Sequence, residues 1–395
     1  MAKLYVFNVC MRSDKKKKII IASEIFPPDM GGPATYAYKL AGELASQGFD
    51  VSIVTYGNPK NKLQIANCKL QIVNRKIPLP FRYWIYAWKL LNISKGADVV
   101  YAQGPLSAGW SAMTVKKITG IRLVVKIVGD QAWERARQFG LTNTLLDEFQ
   151  TQKTSGKIAR IQKIQKEVLK SADDIITVSQ WFKGIIVRWG IDSGKINVIH
   201  NAVEIDTKFK SQNPNLDLDG DVILTVARLT KWKGIDTLIA LMPELLEKNP
   251  GFRLVIVGDG PERENLKSQI SNLKLEDKVI MTGKLTREEL YEYYRRAMMF
   301  VLNSGYENWS HVLVEAMNCG VPVIASKEGG NPETVRDGVD GLIVKYNDKR
   351  DIKNAIFRIL EDSELRNNLA INAKRRVEEY TFSDMVDLTK RVLFG

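Results

Sequence analysis

The sequence predicts an α/β protein with two doubly wound parallel sheets, each in its own domain. Short runs rich in Val and Ile alternate with longer helical patterns, and this alternation is interrupted once, at the polar stretch 211–221. A length of 395 residues also suits two domains better than one. We therefore expect domains at residues 1–200 and 201–379, with 1–17 as a candidate flexible tail and 380–395 as a helix that packs back on the first domain.

The predicted strands are apolar runs, as expected for parallel strands that are buried on both faces. In the first half they are 18–23, 51–56, 70–73, 98–102, 122–128, 174–179 and 196–199. In the second half they are 222–227, 253–257, 278–282, 299–303, 321–325 and 341–344. Ligands bind outside the carboxyl ends of such strands, so the loops that follow them are where we expect a site.

Composition narrows the class of protein. Hydrophobic residues at 45% and charged residues at 26% are values of a globular chain. Cys10, Cys68 and Cys319 lie far apart, which predicts neither a disulfide framework nor a zinc site and suits a reducing, cytoplasmic compartment. No apolar run approaches the ~18 residues of a membrane span, so we expect a soluble or peripheral protein.

Positive charge is concentrated in the first half of the chain. Residues 1–200 hold 30 Lys and Arg against 14 Asp and Glu, whereas residues 201–395 hold 28 against 31. Such asymmetry indicates a polyanionic partner or an anionic membrane surface, because summed charge attracts such partners. A solvated basic surface is the simpler alternative.

Two kinds of loop are suited to bind phosphate. Gly31 and Gly32 stand between the first strand and a helix, where bare backbone lets an anion approach the helix N-terminus. A plain tight turn explains them equally well, since the pattern lacks a full dinucleotide-binding fingerprint. Arg228 ends the first strand of the second half and Lys233 follows five residues later, a spacing that suits a diphosphate or ordinary surface charge.

Two further turns of the second half have the same strand-to-helix character. Gly258 and Gly260 permit a tight turn against a planar ligand, and Lys284 lies in the next such loop. Turn chemistry alone explains each of them.

Residues 307–315, ENWSHVLVE, place two carboxylates at the start of a helix. Ser310 is a candidate N-cap, which exposes the first-turn N–H groups of residues 311–313. Glu307 lies beside that turn, and Glu315 lies about one turn inside. A helix terminus that holds phosphate and two carboxylates that hold sugar hydroxyls form a coherent nucleotide-sugar site. Capping or a salt bridge explains either carboxylate alone.

Six stretches in order resemble retaining glycosyltransferases of the GT-B fold, family 4. They cover nearly the whole chain, and they are Gly31-Gly32, Arg228 with Lys233, residues 258–261, Glu307 with Glu315, VIHNAVEID at 198–206 and EGGNPETVRDGVDGLIV at 328–344. The resemblance implies an acceptor-binding first domain and a donor-binding second domain, facing each other across a cleft. It also implies a nucleotide-diphosphate sugar as co-substrate, no other cofactor and no obligatory metal.

The resemblance also implies roles for single residues. Arg228 and Lys233 would neutralise the leaving diphosphate, and Gly31 and Gly32 would approach it from the opposite domain. Glu307 would hold the transferred sugar, a hexose, and Glu315 the ribose. The remaining donor-binding residues are those expected by the base, Gly258 and Lys284, and those whose backbone would line the sugar and phosphates, Asn308, Trp309, Ser310, His311 and Val312.

The sequence departs from the family at two places. Where many relatives have a histidine after the fifth strand, this chain has Asp130, which would bond a substrate hydroxyl or cap the following turn. Asn308 and Trp309 replace a glycine-rich stretch, so the preference for the donor sugar is open. We interpret His200 and His311 as structural rather than as general bases.

Two amphipathic stretches bear on the acceptor. Residues 78–95 place Trp84 and Trp88 on one predicted helix face, and residues 157–170 place Ile158, Ile161 and Val168 likewise. Each suits an interfacial helix on anionic lipid or a helix that covers a sheet. Together with the basic first half they favour a lipid-linked or cell-surface saccharide acceptor at the inner face of the cytoplasmic membrane.

Other functions fit the sequence less well. A nucleotide-sugar epimerase would use histidines that residues 1–199 lack, and a basic nucleic-acid binder would not need Glu307 with Glu315. An epimerase or hydrolase of nucleotide sugars and a non-catalytic basic binding protein remain the alternatives to transfer.

Overall fold

The computed structural model describes residues 16–29, 31–58, 67–202 and 220–395. Most of the expected tail and of the polar stretch at 211–221 lies outside these ranges, as does the end of VIHNAVEID.

All the predicted strands are present, with ends shifted by a few residues. The strands are β1 Lys18–Ser23, β2 Asp50–Gly57, β3 Cys68–Asn74, β4 Val99–Gln103, β5 Arg122–Lys126, β6 Asp174–Thr177, β7 Ile196–Val198, β8 Asp221–Val226, β9 Phe252–Val257, β10 Val279–Gly283, β11 Met299–Leu302, β12 Val323–Ser326 and β13 Leu342–Val344.

Helices connect these strands. They are α1 Gly32–Ser46, α2 Leu79–Ser94, α3 Ser107–Thr119, α4 Gln131–Gln138, α5 Leu146–Phe149, α6 Gly156–Ser171, α7 Gln180–Arg188, α8 Ile235–Lys248, α9 Arg263–Asn272, α10 Arg287–Arg296, α11 His311–Asn318, α12 Asn331–Thr334, α13 Lys349–Glu361, α14 Ser363–Val377 and α15 Phe382–Phe394.

The chain divides into two compact units. Unit 1 comprises Met1–Lys126, Glu167–Asp174 and Val392–Gly395, and unit 2 comprises Ile127–Lys166 and Ile175–Arg391. The division places α4, α5 and most of α6 with the second unit, although the sequence assigns them to the first half. Each unit is thus assembled from segments that are distant in the chain.

Unit 1 contains parallel strands in the order β3-β2-β1-β4-β5. Ile19, Ile20 and Ile21 are all fully buried, as expected for a strand covered by helices on both faces. The end of α15 belongs to this unit: Arg122 donates from Nη2 to the Val392 carbonyl at 3.0 Å, and the Phe394 ring stacks on Phe49 with centroids 5.2 Å apart.

Unit 2 contains the parallel pair β6 and β7 and a six-stranded parallel sheet of order β10-β9-β8-β11-β12-β13. Along β8, Ile223 joins one hydrophobic cluster while Val222 and Leu224 join another. Alternate residues therefore enter opposite cores, as the doubly wound arrangement requires. In both sheets the carboxyl ends of the strands carry the loops that the sequence singles out.

Candidate functional site

The N-terminus of α11 is the structural centre of the site in unit 2. Ser310 occupies the N-cap position with extended backbone, yet its side chain makes no capping bond and its Oγ is buried with no hydrogen-bond partner among the described residues. First-turn amides have no acceptor within their own helix, and the helix dipole adds partial positive charge there. This terminus is suited to an anion.

Glu307 and Lys233 form an ion pair beside this terminus. Lys233 Nζ donates to Glu307 Oε1, and the two side chains are only 15% and 13% exposed. Lys233 ends a 3₁₀ turn and is followed by Gly234, whose φ of 54° opens α8. The sequence predicts separate roles for these residues, and the structure joins them in one contact.

Glycines at 329 and 330 fix the backbone of Glu307 and Asn308. A Cβ at Gly329 would lie 2.0 Å from the Glu307 carbonyl oxygen, and one at Gly330 would lie 2.1 Å from that of Asn308. The Gly330 N–H donates to the Glu307 carbonyl at 2.8 Å. The EGG sequence is thus required by close backbone packing against the loop that carries Glu307.

The loop of Arg228 is held in a similar way. A Cβ at Gly258 would lie 2.0 Å from the Ala227 carbonyl oxygen, and one at Gly260 would lie 2.4 Å from that of Leu229. These glycines therefore serve a backbone contact, a reason other than the turn against a planar ligand that the sequence suggests. Arg228 lies between the two contacts with its side chain exposed. Lys284 is also exposed, in the loop after β10.

Asp130 caps α4 and is almost fully buried. Its Oδ1 accepts from the amides of Ala132 and Trp133 at 2.9 and 3.3 Å, and from Gln165 Nε2 at 3.1 Å. Gln150 Nε2 donates to the other oxygen at 3.0 Å. The structure thus shows the capping alternative, because both carboxylate oxygens already have protein donors. A direct role for Asp130 in catalysis stays an untested prediction.

Glu134, one turn along α4, is a residue that the sequence reasoning missed. Its Oε1 and the Tyr306 hydroxyl both lie within 3 Å of the position that a Cβ on Gly129 would take. Although solvent reaches the side chain, burial and then the Asp130 charge raise the pKa of its carboxyl to about 7, while Arg228 and Lys233 act in the opposite direction. Its spacing of four from Asp130 on one helix was the signal available.

The side chains of Asn308 and Trp309 face the interior of unit 2. Asn308 accepts from Ser179 Oγ and donates from Nδ2 to the Val128 carbonyl at 2.8 Å. Trp309 stacks on His200 with centroids 4.2 Å apart. Their bulk therefore fills the core, and only their backbone is left for the predicted lining of a donor.

The two histidines differ in setting. His200 Nδ1 lies 2.9 Å from the Val178 carbonyl, which together with the stacking on Trp309 gives it the structural role expected. His311 is exposed in the first turn of α11, and its Nε2 lies 3.4 Å from Asn201 Nδ2.

Glu315 lies further along α11. Its Oε2 accepts from the Tyr294 hydroxyl at 3.3 Å. Burial raises the pKa of the Glu315 carboxyl, whereas Arg287 and Tyr294 lower it. A partly desolvated carboxylate of this kind gains from further hydroxyl donors, which is compatible with the predicted ribose contact.

Unit 1 carries its own polar loops at the carboxyl ends of its strands. Gly31 is the N-cap of α1 with φ 149°, a conformation that favours glycine, whereas a Cβ on Gly32 would meet nothing within 4 Å. Lys126 at the end of β5 is buried, which lowers the pKa of its amine, and its Nζ lies 3.4 Å from the Tyr36 ring centroid. The roles expected of Gly31 and Gly32 stay predictions.

A cavity of about 460 Å³ lies among the loops after β1, β2 and β3 of unit 1. Asp29, Tyr56, Arg75 and Lys76 contribute to its lining. Arg75 Nη1 donates to Asp29 Oδ1 at 2.9 Å, so Lys76 supplies the excess positive charge. The size and polarity of this cavity suit a small polar or charged group.

Within the described ranges, no helix is both long and apolar enough to cross a bilayer. The same ranges contain no cluster of three or more His, Cys, Asp or Glu side chains arranged to hold a metal ion.

Solved structures with this fold are glycosyltransferases. Sucrose-phosphate synthase from Thermosynechococcus elongatus superposes with a TM-score of 0.76 at 24% identity, covering 95% of this chain and 98% of that one. An Anabaena protein in complex with UDP-glucose superposes with a TM-score of 0.73 at 20% identity, covering 95% and 98%. The two α/β units with their parallel sheets therefore have the GT-B fold.

Sequence comparison defines the family. The model for glycosyl transferases group 1 matches residues 206–376, and the model for glycosyltransferase family 4 matches residues 30–207. The chain belongs to this glycosyltransferase family and is a transferase.

Named relatives span much of the chain. The D-inositol 3-phosphate glycosyltransferase of Acidothermus cellulolyticus is 27% identical, covering 91% of this chain and 84% of that protein. A human phosphatidylinositol N-acetylglucosaminyltransferase is 26% identical, covering 84% of this chain and 64% of that protein.

Proposed function

We propose that this glycosyltransferase moves a hexose from a nucleotide-diphosphate sugar to a hydroxyl of a lipid-linked or cell-surface saccharide acceptor, with retention at the anomeric carbon. The reaction needs no cofactor besides the donor itself and no obligatory metal. The enzyme works in the cytoplasm, peripherally attached to the inner face of the membrane.

The observation that carries the proposal is the Lys233–Glu307 ion pair beside the N-terminus of α11. A nucleotide-diphosphate sugar presents a doubly charged diphosphate next to a neutral ring of hydroxyls. Lys233 and the exposed Arg228 match the first part, and the Glu307 carboxylate, a hydrogen-bond acceptor, matches the second. Both cations act on the Glu134 carboxyl, which indicates that they share one electrostatic environment.

Other residues complete the donor site in this proposal. The backbone from Asn308 to Val312 lines the sugar and phosphates, where the α11 terminus stabilises negative charge. Glu315 binds the ribose hydroxyls, and Gly258 and Lys284 lie by the base. Complexes of the Anabaena neighbour with UDP-glucose support a donor of this class.

Catalysis in this scheme is electrostatic. The bond from the anomeric carbon to the diphosphate oxygen breaks, and the acceptor hydroxyl attacks the same face, so that its proton passes to the departing phosphate. Arg228, Lys233 and the α11 amides stabilise the charge that develops on the leaving group. Removal of one such contact in other enzymes costs about 10²–10³ in rate.

Acceptor chemistry is supported by the names of the relatives. One is named for transfer to inositol phosphate and another for transfer to phosphatidylinositol, and phosphate occurs in both acceptors. The unit 1 cavity, with Lys76 and the Arg75–Asp29 pair in its wall, is our candidate for the acceptor pocket.

The test is release of nucleotide diphosphate from a panel of nucleotide sugars, with and without lipid extract. We expect release with one donor that depends on the extract, and a glycolipid product whose anomeric configuration matches the donor by NMR. Equal release without any acceptor would favour a hydrolase, and an inverted product would contradict retention.

A further inference from the structure

Helix α2 displays a row of large aromatic side chains. Phe81, Trp84 and Trp88 are 67%, 62% and 61% exposed. Their spacing of three and four residues places them on one side of the helix. We name these three residues the α2 face. Single exposed apolar residues are ordinary, but a contiguous row of large rings marks an interaction surface.

The exposure decides between the two explanations open at the level of sequence. A helix that only covered a sheet would bury Trp84 and Trp88, and it does so with Tyr86 and Leu90 instead, which are fully buried. By contrast, Ile158 and Val168 of α6 are buried, so that helix does cover a core. The α2 face is the surplus apolar surface.

The row continues onto the neighbouring helix of unit 1. Trp110 of α3 meets Trp84 edge to face at 5.7 Å and lies 6.2 Å from Tyr83. This contact supports the Trp84 ring from below, so that the ring stays outside the core without rotating freely. An apolar side chain held in this way reaches an insertion geometry with little further loss of entropy.

The charges around the α2 face have one sign. Residues 51–129 contain twelve Lys and Arg but only one acidic residue, Asp98. Neither α2 nor α3 contains Asp or Glu. Lys95 just after α2 and Lys117 near the end of α3 are exposed. Aromatic rings surrounded by basic side chains complement the interface of an anionic bilayer, where rings reach the acyl boundary and cations meet phosphates.

We propose that the α2 face is a membrane-docking surface, which places Phe81, Trp84 and Trp88 in the interfacial region of an anionic bilayer. The inference rests on the proposed function, because a lipid-linked acceptor is presented at such a surface. It adds to that function the element that meets the lipid.

The test compares two double variants by co-sedimentation with vesicles. Vesicles contain phosphatidylcholine alone or equal parts of phosphatidylcholine and phosphatidylglycerol. Wild type should bind the anionic vesicles at low salt, keep a fraction bound at high salt, and bind neutral vesicles weakly. Trp84→Ser with Trp88→Ser should weaken binding by about tenfold or more and abolish the salt-resistant fraction.

A matched control removes two exposed apolar side chains elsewhere. Ile371→Ser with Leu388→Ser, at positions 52% and 42% exposed in unit 2, should bind like wild type. Both double variants should keep the wild-type melting temperature. Equal loss of binding in the two variants, or unchanged binding of the Trp84/Trp88 variant, would overturn the proposal.

A second pair of variants tests the charge. Lys95→Gln with Lys117→Gln should lower affinity for the anionic vesicles about fivefold per charge at low salt and change little at high salt. Lys349→Gln with Arg350→Gln in unit 2 is the control and should have no effect. Wild type that self-associates through Trp84 and Trp88 instead of binding lipid would also refute the assignment.

Catalysis is measured separately, so that the two proposals fail separately. Nucleotide diphosphate release with a water-soluble acceptor should be the same in wild type and in the Trp84/Trp88 variant, and only transfer to a lipid acceptor in vesicles should fall. Vesicle binding without any release would uphold docking and refute the proposed transfer. Release that is indifferent to vesicles and to the variant would refute docking alone.

Discussion

Unit 2 encloses charge, whereas unit 1 displays aromatic rings. Lys233 and Glu307 are 15% and 13% exposed, while Trp84 and Trp88 are more than 60% exposed. Each arrangement opposes the usual distribution, in which charges meet water and large rings are buried. The enclosed pair is held ready for a small polar ligand, and the exposed row for an extended apolar surface. The contrast teaches that both regions retain free energy for a partner.

The largest effect should come from the two cations of unit 2. Arg228→Ala and Lys233→Ala should each lower the rate of transfer by about 10²–10³. Thermal melting should separate them: Arg228 is exposed, so its loss should leave the melting temperature unchanged, whereas loss of Lys233 leaves Glu307 enclosed without its partner. Wild-type activity in both variants would remove these cations from the donor site.

Next in size is the effect of the backbone contacts in the Glu307 loop. Gly329→Ala would bring a Cβ to 2.0 Å from the Glu307 carbonyl at a φ of 69°. We expect a loss of about 1–3 kcal/mol in the free energy of unfolding, with a larger fractional loss of activity. In unit 1, Gly42→Ala on α1 meets nothing within 4 Å and should stabilise by about 0.5–1 kcal/mol. Urea unfolding measures both, and equal changes would contradict the contrast.

A smaller effect concerns pH. Burial raises the pKa of the Glu134 carboxyl from 4.5 to about 7, so the folded state holds a proton that the unfolded state has lost. The stability that this provides is fully present below about pH 4.5 and is lost as pH rises through about 7. Glu134→Gln should therefore gain melting temperature relative to wild type across this window. A constant difference would refute the shift, and Glu288→Gln, an exposed carboxylate on α10, is the control.

The smallest expected effect is that of chelation. If Arg228, Lys233 and the α11 amides neutralise the leaving group, turnover should be the same with and without EDTA. Loss of turnover that magnesium or manganese restores would show that a cation shares this task. The same assay on vesicles tests whether docking through unit 1 needs a divalent ion to bridge acidic lipids.

The sequence predicts the architecture well because its signals are local. Every apolar run became a strand, since a strand that is buried on both faces needs only continuous Val and Ile. The loops that carry Arg228, Glu307 and Glu315 were likewise found, because each directly follows a strand.

What the sequence could not predict depends on contacts between distant segments. Lys233 and Glu307 meet across 74 residues, and Gly329 is needed because Glu307 passes close to it. Whether Asp130 caps a helix or meets a substrate depends on Gln150 and Gln165, which reach it from later segments. The inward direction of Trp309 depends on the His200 ring. Long-range packing decides all these points, and no local pattern encodes it.

The return of Val392 and Phe394 to unit 1 has a consequence for the order of folding. Arg122 and Phe49 wait for these partners until all of unit 2 has left the ribosome. Unit 1 is made first but is completed after unit 2, because segments 167–174 and 392–395 both arrive late. During that interval the Trp84 row is already exposed on a growing chain. A nascent enzyme could thus meet the membrane before its first unit is closed.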